Sequence, residues 1–316
     1  MSAGDLAGWA TDLAPVDGGA AVRAPYRSYR ETWLRLAALA SAGRARARRV
    51  GESVAGEPLW AFDLVPPDVP PRATTFVMAG LHAMEHVGVA TAVALLERAA
   101  APGSPWRRHR LVVLPMANPD GFRAVEDDLV RGARRFRRAN RRGVDLNRNF
   151  AVGWDDRYYL NRLLGRLFSP GAGPLSEPET QAIDRLLAEV RPTYAVSLHA
   201  FGEWIFLPYA GSRRPPADLD RMLEIARAMT AAQPYRPYRV MQLARRSRLF
   251  QARGAEIDHL HERYGALAFL IEIGAGPRLG APGTWLLPYG WFTPPAALLE
   301  RDVANVVPAL EALAAL

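Results

Sequence analysis

The sequence contains no cysteine and no lysine; all 40 of its basic residues are arginine. Without cysteine there are no disulfides, thiolate zinc clusters, iron–sulfur centres or cysteine nucleophiles, so any metal site must draw on histidine and carboxylate. The missing lysine bears on the formal charge of +8. A surface selected for phosphate normally mixes both cations, whereas arginine alone, beside abundant alanine, glycine and proline, matches the coding bias of a GC-rich genome. No nucleic-acid partner is expected. Long apolar runs are lacking too. The stretch around Val87–Leu96 is about half of the ~20 residues that cross a bilayer, and the opening MSAGDLAGWATDLAPVDGG carries three aspartates and no basic-then-apolar leader. The expectation is a cytoplasmic protein without a membrane partner.

What is present is an ordinary globular composition: 316 residues, 49% hydrophobic and 23% charged. No repeat or long polar linker divides the chain, which reads as one domain over 26–316 behind an N-terminal extension of residues 1–25. Tyr29–Gly43 has helical spacing, and Arg49–Val50 with Pro58–Val65 reads as a hairpin. Strand-like runs at Thr74–Ala79, Leu111–Pro115, Tyr194–Leu198 and Ala266–Ile273 alternate with helical stretches at Val87–Ala100, Glu177–Val190, Asp218–Ala232 and Pro295–Leu313. That alternation predicts an α/β fold, a sheet with helices on both faces and functional groups just beyond the carboxyl ends of its strands.

Six histidines are available: His82, His86, His109, His199, His259 and His261. His82 and Glu85 lie in AGLHAMEHVG (79–88), between a strand and a helix, where a histidine and a carboxylate three apart can chelate one zinc ion. The same segment matches the His-x-x-Glu-His signature of inverzincin peptidases, in which His82 and His86 would both bind metal. That reading needs the motif inside a helix. Gly80 and the preceding strand place His82 in the turn, so His86 is read as a non-ligand. His199, closing the apolar run AVSLH (195–199), is open to a core or a ligand role.

Five further segments stand in order: LPMANPDGF (114–122), GVDLNRNF (143–150), PLSEPE (174–179), SLHAF (197–201) and FLIEI (269–273). In this the chain resembles the metallocarboxypeptidase family (M14) from about Tyr26 almost to the C-terminus. The resemblance implies a single-domain α/β/α sandwich around a mixed, mostly parallel sheet. It implies one Zn²⁺ held by His82, Glu85 and His199, an open hydrolytic set. Glu272 corresponds to the glutamate that deprotonates the attacking water, and Asn147 and Arg148 to the pair that grips the substrate's terminal carboxylate. An oxyanion-stabilising arginine falls on Arg138 when Asn140-Arg141 is aligned, or on Arg137 when Phe136 is; Arg138 is preferred.

Two positions depart from the family pattern. Met84 stands where digestive members often carry an arginine, and Phe250 where a mobile tyrosine usually caps the carboxylate; losing that hydroxyl removes about 0.5–1.5 kcal/mol. The side-chain pocket falls on Ile257 at its floor, with Phe206, Ala210, Ala252, Ala255 and Leu270 as walls, an apolar set favouring aliphatic or aromatic C-terminal residues. Asp258 or Glu256 offers a carboxylate to basic residues only if the alignment slips by one, and Arg253 leaves acidic substrates open. The expected partner is a peptide or peptide-like molecule with a free C-terminal carboxylate. The rival functions are an N-acyl amino acid amidohydrolase and a catalytically silent peptide-binding module.

Overall fold

The β-branched and apolar run Thr74–Ala79 is one of three adjacent parallel strands whose carboxyl ends carry the site. The computed structural model describes residues 3–15, 26–66, 69–155, 157, 165, 167–247, 251–276, 292 and 296–316. Helices α1 (Ala3–Asp12) and α2 (Tyr29–Ser41) precede the hairpin β1 (Arg46–Glu52) and β2 (Pro58–Leu64). There follow β3 (Thr74–Ala79), α3 (His86–Ala99), β4 (Arg110–Leu114), α4 (Pro119–Val130), α5 (Pro178–Val190), β5 (Tyr194–His199), β6 (Trp204–Leu207), α6 (Leu219–Ala231), β7 (Arg239–Gln242), α7 (Glu256–Tyr264), β8 (Leu267–Glu272) and α8 (Ala296–Glu311).

The eight strands form one sheet in the order β1-β2-β4-β3-β5-β8-β6-β7. β4, β3, β5 and β8 run parallel to one another, as do β6 and β7, while β1–β2, β2–β4 and β6–β8 are antiparallel. A mixed, mostly parallel sheet is therefore what forms. Two apolar clusters cover its faces. One gathers Trp33, Trp60, Val77, Val196, Phe269 and Val306 under the helices α2, α3, α6 and α8, and the other packs Phe76, Phe150, Ile183, Leu186, Leu260 and Leu270 under α5 and α7. The central strands bury both faces, which is why they read as continuous apolar runs.

The strands and helices read from periodicity appear within one or two residues, except β1, which begins three residues before the expected Arg49. Several elements carry no such periodicity: the four-residue strands β6 and β7, and helix α7, whose EIDHLHERY is mostly polar by composition yet buried from Glu256 to His261. Helix α1 lies in the segment taken as an undecided extension. Its Leu6 and Ala10 are buried, and Trp9 meets Trp33, Tyr29 and Trp60 at ring-centroid distances of 5.6, 6.1 and 6.2 Å. Edge-on aromatic clusters of this kind stabilise beyond their buried area. Among the described residues no helix is long and apolar enough to cross a membrane.

Glu179, buried in the first turn of α5, makes stability depend on pH. It accepts hydrogen bonds from Val54 N and Asn140 Nδ2 at 3.2 Å each, and burial, with a smaller push from Asp120, raises its carboxyl from 4.5 to about 7. A raised folded pKa favours the protonated form, so the stability it contributes is complete below 4.5 and is lost as the pH rises through 7. At ~1.4 kcal/mol per pH unit the loss approaches about 3 kcal/mol by pH 8. Glu179→Gln keeps the shape and drops the charge. In urea unfolding it is expected to gain about 2–3 kcal/mol over the wild type at pH 8 and almost nothing at pH 5; an equal gain at both contradicts the assignment.

Candidate metal centre

β3 ends at Ala79, and the chain turns through Gly80, whose φ of +66° lies in the left-handed region. A Cβ there would come within 2.9 Å of Val89 Cγ2, so the turn needs glycine for space as well as for conformation. Gly80 O and Ala79 O accept from Asn118 N and Ala117 N, which ties this turn to the one after β4. The turn delivers His82 and Glu85 before α3 begins at His86. His199 ends β5 and Glu272 ends β8, register partners on adjacent parallel strands. The three ligand candidates and the glutamate thus share the carboxyl edge of the sheet.

His82, Glu85 and His199 offer ligand atoms all within 4.8 Å of one another. His82 Nδ1 lies 2.7 Å from Glu85 Oε1, His199 Nδ1 2.9 Å from Glu85 Oε2, and the two Nδ1 atoms 3.1 Å apart. Donor atoms around a tetrahedral zinc with bonds of ~2.0–2.1 Å stand about 3.3 Å apart, so the set accepts such an ion by opening a few tenths of an ångström. All three side chains are buried.

The far nitrogens face carboxylates: His82 Nε2 is 3.3 Å from Asp145 Oδ1, and His199 Nε2 is 2.9 Å from Glu256 Oε1. Such partners hold a ligating imidazole in the tautomer and orientation the metal needs. The carboxylates Glu85, Asp145, Glu256 and Glu272 converge here with the guanidinium groups of Arg138 and Arg148.

The electrostatics follow from this crowding. Burial opposes the charge on Glu85, but His82 and His199 outweigh it and hold the carboxyl at about 2. Burial likewise opposes charge on Asp145, where Arg138, Arg148 and His82 keep the carboxyl far below its ordinary range. His199 is raised well above its usual value because Glu85 and Glu256 outweigh burial. Glu272 moves the other way: burial, with the Glu85 charge adding to it, pushes it up to about 8.

His86 is elsewhere. Its ring stacks on Phe122 at 4.0 Å with 14° between planes and meets Tyr26 edge-on, and burial pushes it down to about 4. Helix α3 starts at His86, so His82 and His86 do not share a helical face, as the helix-borne motif requires.

The two candidate oxyanion arginines part company. Arg137 pairs with Asp128 through Nε and, at 3.0 Å, through Nη2. Arg138 turns inward: Nε donates to Asp145 Oδ2 at 2.8 Å, and its charge is felt by Glu85 and Glu272. Arg148 is buried, its Nη1 on Asn147 O at 2.6 Å. The Arg138 and Arg148 guanidinium carbons sit 5.4 and 5.5 Å from the Phe168 ring centroid, so one aromatic face underlies both cations. Gly254, with φ of +69°, lets the chain pass so close that a Cβ would stand 2.4 Å from Arg148 O.

Phe206, Ala210, Ala252, Ala255, Ile257 and Leu270 fall in one buried apolar cluster, with Phe206 opposite Leu270 across β6–β8. Asp258 is spent on the backbone: its two oxygens accept from Ala210 N at 2.6 Å and Gly211 N at 2.9 Å. Met84 is buried with Ala83, Val125 and Leu129. Phe250 lies outside the described residues. Sequence reasoning passed over Asp145 and Phe168, and weighed Glu256 only as a carboxylate for the side-chain pocket, whereas it stands behind His199. Asp145 stands two residues before Asn147 in the quoted GVDLNRNF, and a carboxylate so near a candidate clamp is a usable signal; Phe168 has none, since only the fold brings it to the centre.

A family model described as Peptidase_M14, zinc carboxypeptidase, matches residues 30–306. Murein peptide amidase A of Escherichia coli K12 is 34% identical over 156 residues, covering 47% of this chain and 57% of the relative. Mast cell carboxypeptidase A of Mus musculus is 25% identical over 238 residues, 71% of this chain and 57% of the relative. The chain thus spans little more than half the length of these two curated relatives. Bovine thrombin-activatable fibrinolysis inhibitor, solved in complex with tick carboxypeptidase inhibitor, shares the fold with a TM-score of 0.76 at 20% identity, over 92% of this chain and 96% of that one. With the match running from α2 into α8 and the His82, Glu85 and His199 zinc site intact, the chain belongs to the zinc carboxypeptidase family.

Proposed function

We propose that the protein is a metallocarboxypeptidase that hydrolyses the C-terminal peptide bond of peptides or peptide-like substrates bearing a free carboxylate. The observation that carries this reading is one edge of the sheet holding three kinds of group together: the metal triad, an unspent carboxylate at Glu272 and a buried arginine at Arg148. Zinc, when bound by His82, Glu85 and His199, supplies a Lewis acid that makes a water acidic near pH 7 and polarises the scissile carbonyl. Glu272 takes the proton from the attacking water and passes it to the leaving amine; an environment that raises its pKa towards neutrality suits a group that must both accept and return a proton. Arg138, held by Asp145, faces the developing oxyanion. Asn147 and Arg148 hold the terminal carboxylate, Arg148 by its planar guanidinium.

The apolar cluster around Ile257 supports a preference for aliphatic or aromatic C-terminal residues. The similarity to an enzyme named murein peptide amidase brings cell-wall peptides into the proposed substrate class. A cytoplasmic location stands as an expectation from the sequence.

The test is mass spectrometry of a mixed peptide library, murein peptides included, after incubation with the zinc-loaded protein. Losses of one C-terminal residue are expected, with C-terminally amidated copies of the same peptides left intact. Arg138→Ala is expected to slow trimming by about 10²–10³-fold, and Arg137→Ala by far less. Trimming of amidated peptides, or none of either kind, removes the carboxypeptidase reading and favours cleavage of N-acyl amino acids.

A further inference from the structure

Behind the metal triad the far side of His199 meets two acceptors: Glu256 Oε1 and Ser197 Oγ both stand 2.9 Å from Nε2. Glu256 is the first residue of α7 and fully buried, and its second carboxylate oxygen has no hydrogen-bond partner among the described residues. A buried carboxylate with one idle oxygen is costly to keep unless the other is needed, and the positive end of α7 eases the cost of its charge. The backbone fixes where it stands. Glu256 N donates to Asn147 Oδ1 at 3.1 Å, Asn147 N donates to Asp145 Oδ1 at 3.0 Å, and the same Asp145 oxygen faces His82 Nε2. His82, Asp145, Asn147, Glu256 and His199 therefore form one connected chain running behind the metal site from one imidazole to the other.

We infer that Glu256 is a positioning residue for His199: it holds the Nε2 proton so that Nδ1 is presented to the metal, and Asn147 holds Glu256 in place. The inference rests on the assignment of His199 as a zinc ligand. Asp145 Oδ1 stands 3.3 Å from His82 Nε2, so a carboxylate lies behind each of the two imidazoles. Because Asn147 Oδ1 is engaged by Glu256 N, the amide is oriented with its Nδ2 donors left for a substrate carboxylate. The clamp and the metal shell then share a residue.

The test measures zinc affinity of the full chain by competition with a chromophoric chelator, for the wild type, Glu256→Gln, Glu256→Ala and Asp184→Asn. Asp184 accepts from His259 Nε2 at 2.8 Å, a carboxylate–imidazole pair outside the metal triad, so its variant controls for general loosening of the fold. Glu256→Ala is expected to weaken zinc by about 10–100-fold, Glu256→Gln by less because its amide oxygen still accepts, and Asp184→Asn not at all. Wild-type zinc affinity in Glu256→Ala overturns the inference, even if the preferred C-terminal residue shifts, since that marks Glu256 as a pocket residue. An equal loss in Asp184→Asn overturns it as well. No substrate is used, so a wild type that binds zinc without trimming peptides refutes the proposed reaction and leaves this result standing.

Discussion

Glu272→Gln is expected to lower kcat for peptide trimming by about 10²–10⁴-fold while the protein still binds one zinc per chain. The substitution keeps the volume and one acceptor at the end of β8 and removes the carboxylate that takes the proton. Glu272 does not belong to the metal triad, and its Oε2 has no hydrogen-bond partner among the described residues, so little of the surrounding structure depends on its charge. Folding should be unharmed. Burial and the Glu85 carboxylate already disfavour the ionised form, so an amide relieves a repulsion and stability should hold or rise. The measurement is steady-state hydrolysis of a blocked dipeptide with an apolar C-terminal residue, alongside metal analysis. A variant that keeps more than a tenth of wild-type kcat refutes Glu272 as the base. A variant that loses zinc would make the loss a metal effect instead.

His199→Ala should leave the protein without stoichiometric zinc after dialysis, whereas His86→Ala should retain it. One of three protein ligands disappears in the first case, along with the imidazole that links Glu85 to Glu256. In the second, what disappears is a ring stacked on Phe122, and the cost is packing: a stability loss of about 1–3 kcal/mol read by urea unfolding, with metal content unchanged. This pair separates the two histidine motifs that overlap at residues 82–86. Zinc retained by His199→Ala and lost by His86→Ala would reinstate the helix-borne arrangement and refute the strand-edge site.

Much of the site was legible because its residues sit at places that chain pattern marks. A histidine and a glutamate after a strand and a glycine, a histidine at the end of a second strand and a glutamate at the end of a third each stand where an apolar run stops. The parallel order of those strands brings the stops to one edge. Arg138 and Arg137 show the limit. They are neighbours in a run of arginines with nothing local to tell them apart, and the choice falls to which one finds Asp145 and which finds Asp128. Asp258 shows the limit in another way: a candidate pocket carboxylate in the sequence, it is consumed by two backbone amides in the fold.

The alternation of apolar runs with helical stretches determined the α/β class and the sheet-edge location of the site, because both depend on periodicity within short segments, while the metal ligands were named by the ordered motifs that resemble the metallocarboxypeptidases. Only the tertiary structure decided that Glu256 and Asp145 stand behind the two imidazoles, that Phe168 underlies two guanidinium groups and that the first helix packs its tryptophan into the core. These depend on contacts between residues tens of positions apart in the chain, where the energy lies in burial and charge pairing that no local window of sequence contains.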